Sequence, residues 1–270
     1  MPSSRPRALQ RGLVLASLLV VSAALVSPAA AVEHEGAPRA QPIHVLFIGN
    51  SYTRSNNLPY MVRRIAETIP DTADFRVTAI ANPGWDLARH WYVEETRRVI
   101  ASGGFTHVVL QGHSLTALQR RDEFEGYARL FDGEIDRTGA RTVLYETWAR
   151  SPRSGAYRRR AHPLHIAESP IQMQARVSEC YAQVARALGA DVAPAGRAFL
   201  LAQQRIPRAD LYRSDGAHPN QSGTFLAASV LYATIAHDDP RRSPWRPHRM
   251  PRQLAEELRD VAFLSVTRSF

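Results

Sequence analysis

The chain has 270 residues and a formal net charge of +9, and every one of its 34 basic residues is arginine. No aromatic residues interleave with the basic runs and no nucleic-acid-binding motif occurs, so nucleic acid is excluded as a partner, while a weak attraction to acidic polysaccharide or anionic envelope surfaces is allowed. The single cysteine, Cys180, excludes an internal disulfide framework, so stability has to come from an apolar core.

The N-terminus reads as a targeting segment. Arg5, Arg7 and Arg11 precede an apolar run from Gly12 to Val26, and Ala29-Ala30-Ala31 supplies a small-residue cleavage site. This is the pattern of a secretory signal peptide over 1–31, cleaved after Ala31, and its apolar run is short for a membrane span. An uncleaved anchor is the alternative. Removing three arginines and no acids leaves the mature chain near +6. The expected product is secreted or extracytoplasmic, with no stable membrane insertion after cleavage. Residues 32–42 are polar and proline-bearing, as in a disordered lead-in, and 43–270 suit a single domain.

From there, short apolar runs alternate with longer amphipathic ones. Ile43 to Ile48 is a continuous β-branched-rich run, expected of a strand buried on both faces. Leu58 to Ile69 has helical spacing and stops at Pro70. Phe75 to Ile80 predicts a second strand, Leu87 to Ile100 a helix, Thr106 to Leu110 a third strand and Glu123 to Ile135 a helix. Thr142 to Tyr145 predicts a fourth strand, followed by an irregular stretch over 149–169 that is either a lid or a packed insert. Ile171 to Leu188 is a strong helical pattern in which Cys180 falls with Val177, Tyr181 and Val184 as a small buried residue. Asp191 to Ala193 predicts a fifth strand. Helices are expected at Ala198 to Gln204, Gln221 to Ile235 and Leu254 to Val266. Such alternation implies a parallel sheet covered by helices on both faces, with its site beyond the carboxyl ends of the strands.

Two features carry chemistry. The first strand runs into Gly49-Asn50-Ser51 just before a helix, where a serine serves either as a helix cap or as a nucleophile at the sheet edge. Asp215-Gly216-Ala217-His218-Pro219 precedes a long helix. A serine hydroxyl needs an imidazole to take its proton, and the imidazole needs an acceptor to fix its tautomer. Asp and His three apart in one glycine-bearing loop can supply both. The Gly-x-Ser-x-Gly elbow of α/β-hydrolases does not occur at this serine.

With these residues in view, the chain resembles the SGNH, or GDSL-type, hydrolase superfamily. Gly49-Asn50-Ser51-Tyr52-Thr53 is similar to the first block of that family, with Asn50 where aspartate is common. Ala81-Asn82-Pro83-Gly84 is similar to the block that lends a glycine N–H to the oxyanion, and Ser214 to Pro219 to the block holding Asp and His. The resemblance runs from about Ile43 to Ala236. It implies a three-layer α/β/α sandwich with a flavodoxin-like five-stranded parallel sheet. It also implies a catalytic set of Ser51, Asp215 and His218 and an oxyanion hole of Ser51, Gly84 and a third donor. The family's Gly-x-Asn block is replaced here by Leu110-Gln111-Gly112-His113-Ser114, so that donor is His113 or Gln111.

The implied activity is removal of a small acyl group, such as acetyl, from a carbohydrate. A lipase or thioesterase on longer acyl chains, and a glycan-binding protein without turnover, are the alternatives. Asn50, Gln111, Trp85 and Trp148 are candidate substrate contacts, with core packing as the alternative for both tryptophans. Arg158-Arg159-Arg160 is either a basic lip or a solvated loop face. His90, His162 and His165 lack partners at metal-ligand spacing, and neither a metal nor another cofactor is expected. The expected partner is a small-molecule or glycan ester.

Overall fold

The computed structural model describes residues 41–157 and 167–267. The expected signal peptide, nearly all of the lead-in, Arg158-Arg159-Arg160, His162 and His165 lie outside the described residues. Five strands, β1 (Ile43–Gly49), β2 (Phe75–Ala81), β3 (His107–Leu110), β4 (Arg141–Tyr145) and β5 (Asp191–Ala193), form one parallel sheet in the order β2-β1-β3-β4-β5. The register sets the later chemistry. Gly49 pairs with Ala81, Ile48 with Leu110 and Leu110 with Leu144, so the residues that follow these strands emerge along one rim. The chain leaves β1 to one side for β2 and to the other for β3, which opens the crevice where such sheets place their sites.

Successive strand residues face opposite layers. Val45, Phe47, Val109 and Val143 pack into one apolar cluster, and Leu46, Ile48, Val108, Leu110 and Leu144 into the other. The first layer holds α2 (Leu58–Glu67), α8 (Ala195–Arg205), α9 (Gln221–Ala236) and α10 (Arg252–Thr267). The second holds α3 (Leu87–Tyr92), α4 (Glu94–Ala101), α6 (Arg121–Asp136) and α7 (Pro170–Leu188). The arrangement is therefore a three-layer α/β/α sandwich. Helix α9 is buried at every position from Gly223 to Ile235, as a helix apolar on all sides has to be, and α10 packs over it through Leu258, Val261 and Ala262. Cys180 is buried beside Val177 and Tyr181, and burial pushes its thiol up to about 11. Among the described residues, no helix is long and apolar enough to cross a membrane.

One expectation is corrected here, and one open alternative is decided over part of its length. The single helix over Leu87 to Ile100 is two, broken at Val93, whose backbone is extended (φ −88°, ψ 107°). Glu94 and Glu95 then open α4, where their charges suit the positive end of the helix dipole. The stretch from Ala149 to Tyr157 is packed rather than free: Tyr157 Oη donates to the Arg150 carbonyl (2.9 Å) and Tyr212 Oη to that of Ala149 (3.0 Å).

Helix α8 begins after Pro194, which provides no side-chain cap, and the carboxylate of Glu146 fills that role from the end of β4. Its Oε1 accepts from the Arg197 N–H (3.0 Å) and from Gln174 Nε2 (3.0 Å). Burial pushes this carboxyl up to about 7, against the opposing pull of Arg197 and these hydrogen bonds. The folded state thus holds the Glu146 proton more tightly than the unfolded chain does. The resulting stability is present below the ordinary value of 4.5 and is lost as pH rises to about 7. Buried His107, held down near 4, gives a slope of the opposite sign, so the comparison with a variant is the readout. Glu146→Gln, which keeps the acceptor, should gain on the order of 3 kcal/mol relative to the parent between pH 4.5 and pH 8 in urea unfolding.

Candidate active site

The β1 end turns sharply into α1 (Ser51–Arg54). Asn50 is the cap of this helix, its Oδ1 accepting from the Tyr52 N–H (3.1 Å), which leaves the Ser51 hydroxyl free for other work. Gly49 is needed for room rather than for an unusual backbone angle. A Cβ there would collide with Thr53 Oγ1 and lie 2.8 Å from Gln111 Oε1. Gln111, directly after β3, braces the same turn: its Oε1 accepts from the Asn50 N–H (2.9 Å) and from Thr53 Oγ1 (3.0 Å). Because both partners are donors, the orientation of the amide is settled, and its Nε2 turns inward to the Gly112 carbonyl.

Ser51, Asp215 and His218 meet at the rim. His218 Nε2 lies 3.0 Å from Ser51 Oγ, and His218 Nδ1 lies 2.6 Å from Asp215 Oδ2. The second carboxylate oxygen, Oδ1, accepts from the backbone N–H groups of Ala217 (2.8 Å) and His218 (2.9 Å). Burial alone would raise the Asp215 carboxyl, but the Ala217 N–H and the His218 ring and N–H outweigh it and hold the group below the usual carboxylate range. An ionised Asp215 accepts a proton-bearing Nδ1, which leaves Nε2 as an acceptor facing the serine hydroxyl. The imidazole and carboxylate are 35% and 47% exposed, so the site is an open rim that a bulky substrate can reach.

The loop bearing Asp215 and His218 is held from several sides. Gly216 adopts φ +65°, its carbonyl accepts from the Ser151 N–H (2.8 Å), and Trp148 Nε1 donates to the Ala217 carbonyl (3.0 Å). Asn56, just past α1, donates through Nδ2 to Thr224 Oγ1 (2.7 Å) and to the Pro219 carbonyl (3.3 Å), which joins the serine turn to the histidine loop. Asn220 caps α9 through the N–H groups of Ser222 and Gly223. The convergence of residues 51 and 218 is therefore fixed by backbone anchoring on both sides.

Gly84 lies exposed at φ +75° in the turn after β2. That turn is tied to the serine turn, since the Asn82 N–H donates to the Gly49 carbonyl (3.1 Å) and Asn50 Nδ2 to the Trp85 carbonyl (2.8 Å). His113 is half-buried after β3. Burial, and then the Arg150 cation, hold its imidazole below the ordinary range, so near neutral pH it is an uncharged ring that can still donate one hydrogen bond.

Three of the candidate contacts turn inward. Gln111 is fully buried and its amide is engaged as described, so it is neither an oxyanion donor nor a substrate contact. Asn50 is 2% exposed, with both ends of its side chain satisfied by backbone. Trp148 is 1% exposed, stacked between Tyr52 (4.6 Å) and Phe199 (4.1 Å), and is core that supports the histidine loop. Trp85 remains half-buried at the rim, edge-on to His90 at 5.0 Å.

Two further residues serve this rim without a signal in the sequence. His90 is fully buried, and its Nε2 donates to the Gly49 carbonyl (2.8 Å) from beneath the serine turn. Burial holds it below the usual range, consistent with that neutral donor role. Arg150 places Nη1 on Tyr52 Oη (2.9 Å) and Nη2 on Ser114 Oγ (3.1 Å). Only a charge run such as 158–160 stands out by pattern, and a lone arginine after Trp148 does not. Among the described residues, no three His, Cys, Asp or Glu side chains gather as a metal site requires.

No family model matches the chain, and no curated protein does either. Solved structures do. A Slackia heliotrinireducens protein assigned to the SGNH hydrolases is 27% identical, with 72% of this chain and 100% of that one covered and a TM-score of 0.58. A DUF4886 family protein from Bacteroides uniformis superposes with a TM-score of 0.70 over 83% of this chain and 94% of that one, at 15% identity. Axe2, an acetylxylan esterase from Geobacillus stearothermophilus, gives a TM-score of 0.56 over 74% and 97%, at 16% identity. Taken with the β2-β1-β3-β4-β5 sheet and the order of its motifs along the rim, the likeness to the Slackia protein supports an SGNH/GDSL-type hydrolase.

Proposed function

We propose that the protein is an exported serine ester hydrolase that removes a small acyl group, typically acetyl, from a carbohydrate. The observation that carries this reading is the relay of Ser51 Oγ, His218 and Asp215 at 3.0 and 2.6 Å. His218 Nε2 takes the proton as Ser51 Oγ attacks the ester carbonyl, and Asp215 stabilises the imidazolium that forms. The tetrahedral oxyanion is held by the N–H groups of Ser51 and Gly84 and by the His113 ring. Collapse expels the alcohol, which takes the proton from His218. Water, activated by the same imidazole, then releases the acyl group and regenerates the serine. The open rim suits an acyl group on a bulky glycan, with half-buried Trp85, in the turn after β2, as an aromatic contact for the sugar. Export follows from the signal peptide, with residues 43–270 as the working domain.

The test compares p-nitrophenyl acetate with the octanoate. We expect kcat/KM on acetate to be greater by about tenfold or more, since each further methylene needs apolar surface to be gained. The reverse order would favour a lipase or thioesterase, and binding of acetylated glycans with no turnover a non-catalytic role. His113→Ala should lower kcat by about 10²-fold to 10³-fold with little change in KM, as removal of an oxyanion donor does. A change in KM alone would move His113 from the transition state to the ground state.

A further inference from the structure

We propose that Arg150 makes the site select esters that carry a carboxylate close to the scissile bond; this deepens, and rests on, the ester hydrolase reading above. Arg150 is half-buried, and its guanidinium hydrogen bonds go to two neutral hydroxyls, Tyr52 Oη and Ser114 Oγ. No carboxylate pairs with it among the described residues. Other arginines near this rim are neutralised, Arg120 by Asp86 and Glu123 and Arg153 by Asp210, whereas buried Arg259 donates to the Trp245 carbonyl and lies over the Phe225 ring. A partly desolvated cation without a counter-charge costs folding free energy, a cost that a bound anion would lower.

Its position says what that is. Tyr52 follows the serine, and its ring meets the His218 imidazole edge-on at 5.4 Å, while Ser114 follows His113. Arg150 thus stands between the first and third strand ends, at the edge of the reacting rim. The two carboxylates of that neighbourhood are already engaged, Asp86 with Arg120 and the start of α3, and Asp215 with His218. A guanidinium has five N–H groups in a fixed fork, of which the hydroxyls occupy two. Arg150 Nε is not among the buried side-chain nitrogens that lack a partner, and the fork keeps donors beyond the two that the hydroxyls engage. Neutral hydroxyls hold the fork in place without quenching its charge, which is how a bidentate carboxylate site is prepared. The carboxylate can belong to the acyl group or to the sugar of the alcohol part.

The experiment measures kcat/KM of the whole protein on two matched pairs. The first sets p-nitrophenyl hemiglutarate against p-nitrophenyl valerate, and the second an acetylated methyl glucuronoside against the acetylated methyl glucoside. We expect the anionic member of at least one pair to be preferred by about 10-fold to 100-fold, the value of a charge-assisted hydrogen-bonded contact. The pair that shows it identifies the side of the ester. Arg150→Gln should cut that ratio about tenfold or more, and the ratio, unlike absolute rate, does not move with the fraction folded. A ratio near one in both pairs for the parent protein, or a preference that survives Arg150→Gln, overturns the inference. Turnover of none of the four esters would instead overturn the ester hydrolase reading.

Discussion

Replacing Ser51 with alanine is expected to lower kcat on p-nitrophenyl acetate by about 10⁴-fold or more while shifting the unfolding temperature by no more than about 2 °C. The two halves of this expectation have separate causes. The hydroxyl is the atom that forms the acyl-enzyme, and nothing else on the rim stands 3.0 Å from His218 Nε2 to replace it among the described residues. The turn itself does not depend on that hydroxyl. Asn50 caps α1, Gln111 holds the Asn50 N–H, and His90 holds the Gly49 carbonyl, so alanine leaves each of these in place. Residual activity would report what the oxyanion donors achieve with water alone.

Asp215→Asn should cost about 10⁴-fold in kcat, for a reason that a simple loss of charge does not capture. Asparagine can keep the Oδ1 acceptor that receives the Ala217 and His218 N–H groups, so the loop survives. Its amide nitrogen would then face His218 Nδ1 as a donor. The imidazole answers by placing its own proton on Nε2, toward a serine whose proton it is meant to accept. Combining Asp215→Asn with Ser51→Ala should cost little beyond Ser51→Ala alone, because residues that act as one unit do not add. Asp215→Ala, which also strips the two backbone N–H partners, should lower the unfolding temperature as well, and the contrast in melting behaviour separates orientation of the ring from loop integrity.

Much of this was legible before any coordinates. Each strand lies where its apolar run places it; the inner strand β1, buried on both faces, shows this most clearly in the uninterrupted apolar run Val45-Leu46-Phe47-Ile48, while the edge strand β2 is only partly buried. The serine and the Asp-x-x-His loop were legible for a different reason: strand ends in such a sheet converge, so order along the chain predicts neighbourhood at the rim. The inward turn of Asn50, Gln111 and Trp148 was not legible. Polar character is a guide to exposure only where water is the available partner, and at this rim the partners are the unpaired backbone groups of the sharp β1–α1 turn. His90 and Arg150 gave no pattern at all, since each acts through tertiary placement rather than spacing. The break at Val93 was hidden because neither glycine nor proline marks it in the sequence.

The most direct test is covalent. Diisopropyl fluorophosphate reacts with a serine only where a base and an oxyanion site act on it together, so peptide mapping by mass spectrometry after labelling reads the whole arrangement at once. The account predicts a single diisopropylphosphoryl adduct, on Ser51, lost in His218→Ala even though the serine remains. An adduct on another residue, or undiminished ester turnover after Ser51 is fully labelled, would contradict it.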